Sequence, residues 1–275
     1  MPNTTTSAST KQTLPLKKFL NFSLATWLSV LIFAQLIFVS YLVLGYGLTA
    51  ATSGWSTWNQ LNNSAYVEND MQSNLAYATH VLLAIAMILG GSMQMLPSVR
   101  NRFRKFHRIN GRVVVTLACL ISLAGMYLII FRGTVGNLLM HSLTTFGGLM
   151  ILISSFMSIK AARNKNFEQH KIWAIRLYLA ANGVLFFRLI MFAWLSVFGT
   201  LGINIKDFTG VTVVCISISS YVLPLLIAEW VRYAKYTTNP VTIIFCGVLM
   251  LAISAVFLLG LFAISVGNWY PSVMV

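Results

Sequence analysis

The sequence predicts an all-α, polytopic membrane protein with seven transmembrane helices. The first observation is composition: of 275 residues, 57% are hydrophobic and only 9% are charged. Mean hydropathy is +0.78. A soluble domain of this length has no interior large enough to hide so much apolar surface. The second is length. Seven apolar runs, near 24–46, 76–97, 111–131, 138–159, 173–197, 210–231 and 242–266, can each cross a ~30 Å core at ~1.5 Å per helical residue. The third is charge placement: the cations lie in the short loops between the runs. The short alternating segments of a transmembrane barrel do not occur.

Taken in order, residues 1–23 form a polar tail, predicted to be cytoplasmic and followed by an uncleaved first helix. Residues 24–75 hold the first span and a long loop rich in Ser, Thr, Asn and Trp, with Glu68 and Asp70. Residues 76–197 form a four-helix, histidine-bearing core, and 198–275 hold two last spans and a tail. In that tail Trp269 and Tyr270 are expected as interface anchors, and Pro224 is expected to kink the sixth span.

Sixteen of the 19 Lys and Arg fall on one side: Lys11, Lys17, Lys18; Arg100, Arg102, Arg104, Lys105, Arg108, Arg112; Lys160, Arg163, Lys165, Lys171, Arg176; Arg232, Lys235. The positive-inside bias predicts a bacterial inner-membrane protein with its N-terminus in the cytoplasm and its C-terminus outside. Topology and anionic lipid headgroups therefore account for the net charge of +14, and nucleic acid is not an expected partner. Cys119, Cys215 and Cys246 are scattered in separate apolar runs without metal spacing, and read as small apolar fillers.

The four histidines give the chain its candidate chemistry. His80, His107, His141 and His170 fall at the starts of spans two, three, four and five. The spacing repeats, 27 residues from His80 to His107 and 29 from His141 to His170, and "FHRI" at 106–109 is echoed by "QHKI" at 169–172. Gly90-Gly91 and Gly147-Gly148 also correspond, which suggests a duplicated hairpin. The glycine pairs themselves read as helix-contact surfaces. Spans two and four run the same way, as do three and five, so His80 shares a depth with His141 and His107 with His170. Paired neutral imidazoles inside a bundle are what six-coordinate haem iron requires. Two b-type haems, ~25 Å apart by helix rise, would make a transmembrane electron carrier between a donor and an acceptor that the sequence does not identify.

Arg188 lies inside the fifth span, where an arginine marks a functional site unless it is paired. Its candidate partners are a haem propionate, another anion, Asp207 or backbone carbonyls. Arg108, Arg112 and Arg176 recur beside the inner histidines, where they could hold propionates. Spans two to five contain no Asp or Glu, so carboxylate-coupled proton transport is not expected. Two alternatives stand beside the haem reading. In one, a non-redox transporter or assembly protein uses the histidines and arginines as a structural polar network. In the other, His107 and His170, joined by Glu168 or Glu229, form an inner metal site.

Residues 80–115 and 166–188 resemble the bacterial membrane-protein family labelled domain of unknown function 2306, over about 76–196. The matching residues are His80, Gly91, Gln94, His107, Arg108, Gly111, Arg112, His170, Trp173, Arg176 and Arg188. His141 lies outside that pattern. The four-helix histidine layout also looks like the two-haem cytochromes b of the 561 type. That layout implies ligand pairs from spans two with four and three with five.

Overall fold

The computed structural model describes residues 4–133 and 136–274, with side-chain surroundings described for 14–133 and 136–273. α1 (Thr4–Leu42) continues through a π-turn (Val43–Leu48) into α2 (Thr49–Thr52). A 3-10 turn (Trp55–Gln60) leads to α3 (Met71–Met95) and the short α4 (Pro97–Arg102). α5 (Arg104–Tyr127) ends in a second π-turn (Leu128–Arg132), and α6 is Leu138–Arg163. α7 (Phe167–Ala181) is followed by α8 (Gly183–Phe198), and α9 (Val211–Tyr221) by α10 (Leu223–Tyr236). α11 (Pro240–Ile264) passes through a third π-turn (Ser265–Trp269) into α12 (Tyr270–Met274).

Among the described residues five helices are long and apolar enough to cross a membrane. The bent pairs α7/α8 (50°) and α9/α10 (44°) bring the total to seven when each is one span. Local sequence sets the starts of four helices. Asp70, Asn137, Asn166 and Asn239 each accept a backbone N–H of the first turn at the heads of α3, α6, α7 and α11. Pro224 follows the break between α9 and α10, as expected from the missing N–H of proline. The α7/α8 break contains no proline and falls at Asn182-Gly183.

The spans form a ring. α1 packs on α3, α3 on α5, α5 on α6, α6 on α7, α8 on α11, and α11 back on α1. α9 and α10 lie against α6, α7, α8 and α11. The buried core is therefore not confined to the four histidine-bearing spans: Leu31 and Phe38 of α1, Leu189 of α8, and Phe257 and Leu261 of α11 belong to its largest cluster. The glycine pairs serve as helix contacts. At Gly90 a Cβ would stand 2.6 Å from Val114, and the Gly90 carbonyl accepts Asn110 Nδ2 at 2.9 Å. Gly148 is used in the same way, its carbonyl accepting Ser122 Oγ at 2.9 Å.

Three expectations change. The first helix begins at Thr4 rather than near residue 24. Within the stretch predicted as a polar tail, Lys17 is held in place: its Nζ donates to the carbonyls of Ala234, Lys235 and Thr237 at 2.6–2.8 Å. This satisfies the open carbonyl end of α10. Lys11 lies outside the described side chains. Trp269 is 4% exposed, stacked on Phe38 and Tyr41, while Tyr270 alone remains at the surface.

The long loop before α3 folds down over the bundle, away from the basic end that carries Lys17 and the arginine-rich loops. Trp58, 1% exposed, donates its indole N–H to the Tyr46 carbonyl at 3.1 Å. Reciprocal amide bonds close the loop, Asn59 with Tyr66 and Asn74 with Val67. Asp70 joins this loop to α3, and its hydrogen bonds to Ser73, with Arg132 as a weaker contributor, hold its carboxyl below the usual range. A lowered folded pKa contributes stability above the unfolded pKa, and that contribution is lost as pH falls through the folded value. Thermal melts from pH 6 to pH 3 should therefore converge for wild type and Asp70→Asn at the acid end. Asparagine still caps but does not titrate. A constant gap across the range would remove Asp70 as a source of acid sensitivity.

Candidate functional site

A buried polar network sits at the centre of the ring. Gln35 of α1, Ser92 of α3, and Tyr178 and Asn182 at the end of α7 are all nearly solvent-free. Gln35 Nε2 donates to Asn182 Oδ1 at 2.7 Å. Gln35 Oε1 accepts from Ser92 Oγ at 2.6 Å and from the Tyr178 hydroxyl at 2.9 Å. Asn182 Nδ2 donates back to the Tyr178 carbonyl at 2.8 Å. Two donors on one amide oxygen fix which way Gln35 points. Asn182 reaches the network because α7 stops there and α8 leaves at an angle. The second break touches the first: Gly183 lies against the ring of Tyr221, the last residue of α9.

Beyond this network, away from the basic end, lies Arg188. Its guanidinium stands 5.4 Å from the centre of the Phe38 ring and makes one long contact, 3.4 Å, to the Val184 carbonyl of its own helix. It does not reach Asp207, which is bonded to Thr209. Its charge acts on Tyr41, Tyr46, His80 and Tyr221, which come from the first, second and sixth spans. His80 itself leans on α5. Its Nδ1–H donates to the Ile121 carbonyl at 2.9 Å, and only a glycine at 125 leaves room, since a Cβ there would stand 2.9 Å from the ring.

On the basic side the polar groups continue. His170 Nδ1–H donates to the Ser158 carbonyl at 3.0 Å. Ser154, Ser155 and Ser158 of α6 are 0–2% exposed. His107, in the first turn of α5, lies within electrostatic reach of His170 and Arg100. His107 Nδ1, Ser154 Oγ and Ser155 Oγ are buried without a hydrogen-bond partner. Buried polar atoms are normally paired, so unpaired ones at one end of a bundle call for water or a ligand.

The sequence-predicted site residues thus separate. Of the inner pair, His170 is bonded to Ser158 of α6, while the His107 carbonyl accepts from Gln94 of α3. The outer pair is not brought face to face: α5 packs on both α3 and α6, His80 is pinned to α5, and His141 borders a crevice with Ile129, Ser142, Thr145 and Phe146. Arg176 is taken by Glu229, at 2.7 Å from Nη2, and lies 4.3 Å over Trp173. The other Glu229 oxygen is held by Arg232 at 2.7 Å, so Glu229 is spent as a metal ligand. Among the described residues no group of three or more His, Cys, Asp or Glu is placed to hold a metal ion. Arg108 and Arg112 are exposed, where topology and lipid headgroups account for them.

The family-pattern residues mostly join helices. Gly91 faces the Tyr178 ring, and Gln94 donates across to the His107 carbonyl at 3.1 Å above Gly111. The central network, by contrast, was missed. Two signals could have found it: a lone Gln in the apolar run "IFAQLIF", and the turn-forming Asn-Gly pair inside the fifth apolar run.

A family model described as a predicted membrane protein, DUF2306, matches residues 77–231. No curated protein and no solved structure matches the chain. The likeness to two-haem cytochromes b therefore rests on the histidine layout alone.

Replacing Gln35 by Leu should strand the Tyr178 hydroxyl and the Asn182 amide oxygen, while Ser92 keeps the Ile88 carbonyl at 2.8 Å. At ~1–3 kcal/mol for each buried polar group left unpaired, the purified protein should lose ~2 kcal/mol or more in a detergent melt. Ser40→Ala, an exposed serine on the same helix bonded only to its own backbone, should change it little.

Proposed function

This chain belongs to the DUF2306 family of predicted membrane proteins, and on that premise we propose that it is a multi-pass, non-redox transporter. Its central polar path is closed at mid-membrane by the Gln35 network. One observation carries this reading: two spans are broken, their breaks touch, and a fully buried hydrogen-bond network sits at that junction. Transporters bind their solutes near the bilayer midplane at interrupted helices, where freed backbone and polar side chains can meet a ligand. A single-purpose structural tie needs no interruption of either span.

The remaining polar groups fall on either side of the closure. Arg188, His80 and the tyrosines lie on one side. His107, His170 and the α6 serines lie on the other. The positive-inside rule supports a bacterial inner-membrane orientation with the basic end in the cytoplasm. The test uses a background in which Cys119, Cys215 and Cys246 are changed to Ser. Ser154→Cys should react with an impermeant thiol reagent from the basic face of inside-out vesicles. Ser92→Cys should react only when Gln35→Ala is added. If both stay inert from both faces, with and without Gln35→Ala, the network is structural and the transport reading fails.

A second reading is favoured by the buried, unpaired His107 Nδ1 at the basic end, within electrostatic reach of His170. Under it, one b-type haem is held at the basic end, and electrons pass between a donor and an acceptor. A pyridine haemochrome assay on protein from haem-replete cells separates the two. The transport reading expects no Soret band. A band lost in His170→Ala and kept in His141→Ala would favour the haem.

A further inference from the structure

Arg188 carries a charge that no acidic side chain of the protein can balance. The sequence has five Asp and Glu residues, and the structure places all of them elsewhere. Glu229 holds Arg176 and Arg232. Asp207 is bonded to the backbone and hydroxyl of Thr209, and Asp70 caps α3. Glu68 and Glu168 are exposed. A guanidinium offers five N–H donors in a planar fork, and here its one hydrogen bond among the described residues is 3.4 Å long. An arginine within a span is costly unless a partner or a polar cavity receives it.

The surroundings define what would fit. Phe38 lies under the guanidinium and stacks on Trp269 at 5.2 Å. Tyr41 stacks on the other part of the same cluster, 5.3 Å from Trp269 and 6.0 Å from Tyr46. Tyr77 donates to the Tyr46 hydroxyl at 3.3 Å, and Asn62 of the covering loop donates to Tyr77 at 3.2 Å. Arg188 therefore lies against Phe38, one ring of an aromatic cluster that continues through Trp269 and Tyr41 to Tyr46 and Tyr77 beneath the folded loop.

We propose that Arg188 binds the carboxylate of a small monovalent organic anion, with the apolar part of that anion lying among the rings of Phe38, Tyr41 and Tyr46. The fate of the anion rests on the transport reading; its binding does not. A carboxylate matches the guanidinium fork with two parallel hydrogen bonds, which a lysine could not reproduce. One positive charge neutralises a monoanion, whereas a divalent anion would leave a net charge buried in low dielectric. The aromatic walls suit an organic remainder better than a fully hydrated inorganic ion.

The test is binding to detergent-purified, full-length protein, read by thermal melts and calorimetry. The probes are sodium acetate, propionate and benzoate, against sulfate at equal ionic strength. The monocarboxylates should raise the melting temperature saturably. Arg188→Gln should weaken this at least tenfold, and Arg188→Lys should keep part of it. No saturable effect on the wild type would overturn the proposal, whether or not the variants fold. So would equal responses in wild type and Arg188→Gln, or stabilisation by sulfate in place of the monocarboxylates. Binding without thiol access to Ser92 or Ser154 would leave the anion site standing and remove the transport reading.

Discussion

A side-chain amide in hydrocarbon cannot wait for water, and that constraint organises this bundle. Gln35 has three hydrogen-bonding partners on two other spans. Two of those groups would themselves be stranded if Gln35 turned away. The first, second and fifth spans therefore share one polar junction. Its position is set by side-chain chemistry, where apolar packing alone would tolerate sliding. The break after α7 follows from the same constraint, because Asn182 must leave the helical path to donate and accept there. The ring of spans closes around this point.

The residues that mark the family pattern acquire plain physical roles around that junction. Gly91 leaves room for the Tyr178 ring, Gln94 crosses to the first turn of α5, and His170 is tied to α6 through Ser158. Trp173 supports Arg176, which reaches Glu229 on α10. Most of the pattern thus encodes how neighbouring spans meet. Arg188 differs in kind. It joins nothing by ion pairing, and its guanidinium lies against the Phe38 ring of the first span. A residue that costs energy to bury and ties no helices together has a role outside packing.

Much of the architecture was legible because it depends on one-dimensional signals. Apolar length gave the spans, the loop cations gave a basic end, Pro224 gave one break, and the glycine pairs gave two helix contacts. What was not legible depends on neighbours that sequence does not name. Equal depth made His80 and His141 look like partners. Depth does not fix azimuth, and His80 is turned onto α5. Trp269 follows the rule for interface aromatics, yet the π-turn before α12 carries it inward onto Phe38 and Tyr41. Gln35 looked like an isolated polar residue because its partners lie 57 to 147 positions away.

The three bonds from Lys17 to the end of α10 connect residues 217 to 220 positions apart. During synthesis the acceptors are made 217 to 220 residues after the lysine. The amino-terminal part of the protein therefore has no final anchorage while spans two to five are being inserted. Its first helix can meet Ser92 once the second span is in place, but its basic end still waits for α10. The basic end becomes fixed only when the carbonyl of Thr237 has left the ribosome and met the lysine. The Lys17 end of α1 is, in that sense, finished only after α10 has been made.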